Sequence, residues 1–213
     1  MHNGYINVYG KKMSKSLGNF FTVRDIREHY SGDVIRFFLL SGHYRSPINF
    51  SDALMEQSKQ GYERIATAIQ NLEFLTENGT DEAMADEAAK IAEMDKYREK
   101  FIEVMDDDLN TADGIAAIFE LVTEINTTVR DGASKSYSKE ALARIKELTD
   151  VLGIFGHEDE EGGLGDDIQA LIDERQAARA EKNWARADEI RDQLAAMGIT
   201  LKDTPQGVQI IRN

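Results

Sequence analysis

Between Ser51 and Leu152 apolar residues return every three or four positions, and that periodicity leaves few folds open to the chain. Ser51 is placed as an N-cap. Behind it Met55, Tyr62, Ile65, Ile69, Leu72 and Leu75 stripe one long helix that Asn78-Gly79 ends. Ile91, Met94, Phe101, Ile102 and Met105 mark a second helix. Asn110 or Thr111 caps a third, lined by Ile115, Ile118, Phe119, Val122 and Ile125. Ser138 is expected to cap a fourth, lined by Leu142, Ile145, Leu148, Val151 and Leu152. Four such helices with short joins predict an antiparallel up-and-down bundle over residues 51–155.

The flanks follow other rules. Tyr5 to Tyr9 alternates like a short strand, and Lys11 to Asn19 is polar with Gly18 near its end, which predicts a loop. Thr22 with Asp25 three residues on is an acidic relative of the capping box, opening a helix to about Tyr30. Ser31-Gly32 breaks that helix, and Asp33 to Leu40 forms a second, very apolar one. Past the bundle, His157 to Asp167 is acidic, Gly-rich and aperiodic, and a linker is predicted over 156–165. Two short helices follow, about 166–181 and 184–197, parted near Asn183 and closed by Gly198. Ile199 to Lys202 and Val208 to Ile211 then alternate around a turn containing Pro205 and Gly207, as a β-hairpin would. The fold expected is mainly α, with a small α+β domain at 166–213. A domain of that size has a thin core, and Trp184, the sole tryptophan, is the expected apolar centre.

Net charge is −14, which argues against a nucleic-acid partner until its distribution is read. Residues 1–50 hold 7 Lys/Arg against 3 Asp/Glu, residues 51–165 hold 11 against 27, and residues 166–213 hold 7 against 9. The acid sits in the bundle, mostly as solvated helix faces, and both ends are free to approach phosphates. No apolar run approaches the ~20 residues that span a bilayer, and no basic-then-apolar leader opens the chain. There is no cysteine, which fits a reducing compartment and excludes a disulfide or thiolate-metal site in these residues.

Lys12-Met13-Ser14-Lys15-Ser16, followed by Leu17-Gly18-Asn19, carries the most chemistry. It puts two ammonium groups and two hydroxyls on one exposed segment with a flexible glycine. Such a loop can close over a triphosphate and place point charges where negative charge builds on departing pyrophosphate. A solvated Lys/Ser loop or a phosphorylation site is the plainer alternative for an arbitrary pentapeptide of this kind. The context favours the first reading, because KMSKSLGNF resembles the KMSKS motif of class I aminoacyl-tRNA synthetases, after a strand and before a capped helix. The resemblance continues through DVIRFFLL (33–40), SGHYRS (41–46) and MDDDLNT (105–111), and together these resemble the cysteinyl-tRNA synthetase family.

That resemblance implies an identity for each segment. Residues 1–50 are similar to the KMSKS loop and stem-contact fold at the end of the catalytic domain, 51–155 to the helical DALR domain, and 166–213 to the anticodon-binding domain. It implies that Lys12 and Lys15 serve catalysis and that Lys12, Met13, Ser14, Lys15 and Ser16 form the ATP-contacting stretch. RAEKNWARADEIRDQL followed by GITLKDTPQG resembles the anticodon-binding end of that family, and Arg179, Trp184, Asp188, Arg191 and Asp203 are the implied anticodon readers. An aromatic ring can stack a base, and a carboxylate accepts from guanine or cytosine amino groups. Arg175, Lys182 and Arg186 add charge to the same helices, interleaved with acids. A purely structural Trp184 and Arg191 remain the alternative there.

The family further implies ATP with Mg²⁺, tRNA(Cys) as partner, a monomer in the cytoplasm with no membrane association, and a zinc ion whose ligands lie outside this chain. No His-Ile-Gly-His motif or βαβ series is present. A truncated or cleaved form lacking the N-terminal catalytic domain, and inactive alone, is therefore expected. A stand-alone RNA-binding or regulatory module, and the related cysteine ligase of mycothiol synthesis, are the alternatives. Asp106-Asp107-Asp108 is read as a helix-boundary turn in preference to a metal site, since consecutive helical residues diverge. The four histidines are read as surface or packing residues, none having a metal-spaced partner.

Overall fold

The computed structural model describes residues 2–130, 132–155, 166–204 and 207–212. The chain divides into two compact units, Met1–Gly156 and His157–Asn213. The linker expected at 156–165 lies outside the described residues, as does Pro205 of the hairpin turn.

The first unit opens with β1 (Ile6–Val8) and β2 (Lys11–Lys12), paired antiparallel with Asn7 opposite Lys12. Tyr9 (φ 49°) and Gly10 (φ 75°) lie between them. Positive φ at both turn residues is what a two-residue type I′ hairpin demands. β3 (Ile48–Phe50) joins β1 in parallel, with Val8 opposite Phe50. The segment expected to be all loop is therefore more ordered: β2 takes its first two residues, and a single 3₁₀ turn spans Lys15–Leu17.

Helix α1 (Val23–Arg27) carries both halves of its capping box and ends short of the Tyr30 expected. Ser31 caps α2 (Gly32–Leu40), its hydroxyl accepting from the Val34 N–H. The apolar character of α2 has a physical cause, because two cores claim it. Val34, Ile35 and Phe38 pack with Val8, Phe50 and Met55 over the small sheet. Phe37 packs instead with Ile65, Ile118 and Leu152 in the bundle.

The bundle comprises α3 (Asp52–Asn78), α4 (Glu87–Glu93), α5 (Asp95–Asp106), α6 (Thr111–Arg130) and α7 (Lys135–Leu152). Ser51 caps α3 and Asn110 caps α6, through the N–H groups of Leu54 and Asp113. Polar ties fasten α2 to the bundle. The Thr111 hydroxyl donates to the Leu40 carbonyl (2.7 Å), and Arg36 Nε donates to the Leu152 carbonyl (2.8 Å). Both satisfy carbonyls that helix ends leave without partners.

Several details differ from the periodic reading. The second helix is two. Around Met94 the bonds tighten to i→i−3 (Met94 N–H to Ile91 C=O and Tyr97 N–H to Met94 C=O, each 3.1 Å), ending α4 and starting α5. Ile102 is consequently exposed. The fourth helix is capped by Ser134, whose hydroxyl accepts from the Tyr137 N–H (3.1 Å). Ser138 is buried a turn later and donates to the Ser134 carbonyl (2.8 Å). Its stripe begins earlier, at fully buried Tyr137 and Ala141. Val151 faces solvent, because Leu152 holds the inward position and Ile154 fills the core beyond the helix end.

The second unit pairs α8 (Asp166–Ala180) with α9 (Trp184–Ala196), followed by β4 (Ile199–Thr204) and β5 (Gly207–Arg212) in an antiparallel hairpin with Leu201 opposite Ile210. Asn183 caps α9, accepting from the Arg186 N–H (3.3 Å), and Gly198 (φ 76°) turns the chain into the hairpin. The core is Ile172, Ile190, Leu194, Ile199 and Leu201. Trp184 is not its centre: the residue is 58% exposed. As the first residue of α9 it lies a turn before Ala187, where the inward stripe of Ala187, Ile190 and Leu194 begins.

Candidate functional site

The 11–19 segment is held by its own backbone and by one side chain, Asn19. Asn19 Oδ1 accepts from the Ser14 N–H (2.9 Å), and its amide nitrogen donates to the Lys12 carbonyl (3.3 Å). The Met13 N–H donates to the Ile6 carbonyl (3.3 Å), continuing the β1–β2 ladder into the loop. The Met13 side chain packs against the core of Val8, Phe50 and Met55. Ser14 and Ser16 hydroxyls lie 3.1 Å apart, and Gly18 (φ 66°) closes the 3₁₀ turn with its N–H on the Lys15 carbonyl (3.2 Å). The hairpin itself is pinned to α3 by the Tyr9 hydroxyl, which donates to Asp52 (2.7 Å). Giving that hydrogen bond to a carboxylate raises the Tyr9 phenol above its ordinary value.

Within this frame the five motif residues divide by role. Met13 is an anchor, and Ser14 is half-buried over the turn. Lys12, Lys15 and Ser16 are exposed. Among the described residues no carboxylate lies within 4 Å of either ammonium. The Lys12 ammonium lies 5.1 Å from the centre of the Tyr5 ring, and that of Lys15 lies 5.3 Å from the centre of Phe20. Both rings are themselves exposed. A cation on an exposed ring is held by only about 0.5–1 kcal/mol, so an incoming anion can recruit it. Asn19, Tyr5 and Phe20 were not singled out by sequence reasoning. Asn19 follows Gly18 in the motif and could have been flagged as a turn residue, while the aromatic perches have no local signature.

The second candidate surface is built differently. Trp184, Asp188 and Arg191 stand at i, i+4 and i+7 of α9, hence on one exposed helix face. Arg191 pairs with Asp188 (3.1 Å) and with Asp192 (3.5 Å). Arg186 is bound to Glu174 (2.8 Å) and Glu189 (2.8 Å), which raise its already high pKa. Arg179 is half-buried in the last turn of α8, and Arg175 is buried. Asp203 lies on β4 opposite Val208. The α9 face therefore groups three of the five candidate readers, with Arg179 and Asp203 on neighbouring elements of the same unit.

Between α5 and α7 the charges are paired across a groove. The groove between α5 and α7 is lined by Arg98 paired with Glu147 (2.7 Å) and Arg144 paired with Asp95 (3.1 Å). Of the three consecutive aspartates, Asp106 ends α5, Asp107 follows it, and Asp108 turns away to accept from Tyr44 and Arg45. Among the described residues no group of three His, Cys, Asp or Glu side chains could hold a metal ion. No helix among them is long and apolar enough to cross a membrane.

Three family models match the chain in succession: the catalytic domain of class I (C) tRNA synthetases over residues 1–60, the DALR domain over 100–156, and the cysteinyl-tRNA ligase anticodon-binding domain over 161–212. A cysteine–tRNA ligase of Lachnospira eligens is 54% identical over 98% of the chain, and one of Symbiobacterium thermophilum is 50% identical over the same share. The chain belongs to the cysteinyl-tRNA synthetase family. It spans 44% and 45% of the length of those two relatives. Among solved structures, the LeuRS of Agrobacterium radiobacter K84, in a ternary complex with tRNA and LeuAMS, superposes with a TM-score of 0.57 at 22% identity. That match covers 72% of this chain and 22% of LeuRS, and it is a likeness of fold. For a cysteinyl-tRNA synthetase chain the loop geometry now has a context, since residues 11–19 fall inside the segment matched by the catalytic-domain model.

Proposed function

We propose that this chain supplies the ATP-contacting loop and the tRNA-binding elements of a cysteine–tRNA ligase. In the complete enzyme the cysteine carboxylate attacks the α-phosphorus of ATP, pyrophosphate leaves, and the adenylate passes its acyl group to the terminal ribose of tRNA(Cys). Lys15 and Lys12 meet the triphosphate and stabilise charge on the departing pyrophosphate, while Ser14, Ser16 and Asn19 hold the turn that presents them. The observation that carries this reading is the pair of exposed lysines, each resting on an aromatic ring, on a turn braced by Asn19.

The four segments keep the roles given by resemblance: loop and stem-contact fold at 1–50, DALR bundle at 51–155, linker at 156–165, and anticodon-binding domain at 166–213. Trp184 stacks an anticodon base, and Asp188, Arg191, Arg179 and Asp203 read base edges around it. Magnesium travels with the triphosphate. The zinc ion implied by the resemblance takes its ligands from outside this chain, which holds no cysteine. The protein acts as a cytoplasmic monomer. The match to an anticodon-binding domain weighs against the mycothiol-pathway ligase.

Pyrophosphate exchange tests the reading. The isolated 213-residue chain is expected to show none, and to restore none of the loss when Lys15 is replaced in the full-length enzyme. Exchange by the isolated chain would defeat it.

A further inference from the structure

Two segments far apart in sequence meet at one carboxylate. Asp108 Oδ1 accepts from the Tyr44 hydroxyl (2.7 Å) and from Arg45 Nη2 (2.9 Å), while His43 Nε2 lies 3.6 Å from Oδ2. Arg45 Nε donates to the Tyr44 hydroxyl (3.0 Å), and the His43 and Tyr44 rings stack at 4.9 Å. The chain reaches this position through two consecutive non-glycine residues with left-handed backbone, Asp108 (φ 61°) and Leu109 (φ 54°). That conformation is disfavoured for residues with a Cβ and persists only where surrounding structure compels it. A plain join between α5 and α6 does not need it. What it achieves is to swing Asp108 out of the bundle and onto residues 43–45.

From that point hydrogen bonds joined by short runs of backbone lead to the loop. The Tyr44 carbonyl accepts from the Gly4 N–H (2.7 Å), and Gly4 sits so close to the Ser46 carbonyl that any Cβ would overlap it. The Ile48 N–H donates to the Tyr5 carbonyl (2.9 Å), which opens the parallel pairing of β3 with β1. β1 in turn pairs with Lys11–Lys12, and the Ile6 carbonyl holds the Met13 N–H. We infer that Asp108 is a positioning residue, through which the helical bundle sets the placement of the loop lysines by way of the 43–47 turn and the three-stranded sheet. Such coupling runs through contiguous hydrogen bonds and needs no contact between Asp108 and nucleotide. The inference rests on the loop reading above for its functional meaning, and on the geometry alone for the coupling.

The test is residue-resolved amide exchange and ¹⁵N chemical shifts on the 213-residue chain. In Asp108→Asn, protection of the Gly4 and Met13 N–H groups is expected to fall by about tenfold, the loss of one charge-assisted hydrogen bond. Shifts should move along Gly4, Asn7 and Met13. Glu147→Gln breaks an ion pair on the same bundle and serves as control. It should leave those amides unchanged even if it lowers thermal stability as much. Should Asp108→Asn not fold, Tyr44→Phe removes only the bridging hydroxyl and must produce the same pattern. Changes confined to residues 43–45 and 104–111 in either variant would overturn the coupling. Titrating the unsubstituted chain with inorganic tripolyphosphate separately tests the loop: shifts at Lys12 to Ser16 are expected, and their absence defeats the ATP reading without touching the Asp108 result.

Discussion

The two ends of the chain hold their cations in opposite ways. In the 11–19 loop Lys12 and Lys15 rest on aromatic rings and stand clear of acids. On α9, Arg186 and Arg191 each arrive bound to two carboxylates. A lysine on a ring keeps its full charge for an anion and is released at small cost. An arginine already paired offers little net charge, but its remaining donors and its partner's acceptors still present a fixed hydrogen-bond pattern. On the function proposed above, the loop would meet polyphosphate and the α9 face base edges, where pattern decides. The cores differ too. Among the described residues the first unit buries a large bundle cluster reaching from Phe37 to Ile154 and a smaller one over the sheet, and the second unit a cluster of five.

Several measurements would break or sharpen this contrast. The largest effect is expected from Lys15→Ala in the full-length enzyme. Losing one preorganised donor should cost about 3–4 kcal/mol of transition-state stabilisation, read as pyrophosphate exchange; a loss no larger than that of Arg191→Gln would erase the contrast. Ile190→Ala comes next. It should remove about 2–5 kcal/mol from a unit with little to spare, seen as lost amide protection across 166–212 with the bundle amides intact. Trp184→Ala should leave stability nearly unchanged, since the ring is already in solvent, and weaken anticodon stem-loop binding by about 1–3 kcal/mol. Unchanged affinity there would return Trp184 to a purely structural role. Binding of that stem-loop should also weaken with added salt, but with a shallow slope, because few free cations face it.

The smallest effect is one of pH. Asp25 accepts from the Thr22 N–H (2.6 Å), and that bond holds its carboxyl below the ordinary value. A depressed folded-state pKa means that the cap contributes above the unfolded-state value near 3.9 and is lost as pH falls through the folded one. Protection of the Thr22 amide, taken relative to its intrinsic exchange rate, should therefore fall down an acid titration; a cap that tightened on acidification would contradict the geometry.

Much of this was legible locally. The caps at Thr22, Ser51 and Asn110 are three-residue matters, and each side chain accepts the N–H expected of it. The bundle stripes are equally local, because helical spacing alone brings positions three and four apart onto one face. The sequence by itself thus determined the main helical segments and the hairpin at the end.

What only the tertiary structure decided were matters of partnership over long distances. Whether the stripe of α9 includes Trp184 depends on where its partner surface stops, and it stops at Ala187. Whether Ser134 or Ser138 caps α7 depends on Tyr137 being drawn fully into the core. The meeting of Asp108 with Tyr44 joins residues 64 positions apart, and no local pattern encodes it. Hydrogen bonding within a turn is governed by neighbours in the chain, whereas burial and ion pairing are governed by neighbours in space, and only folding brings those together.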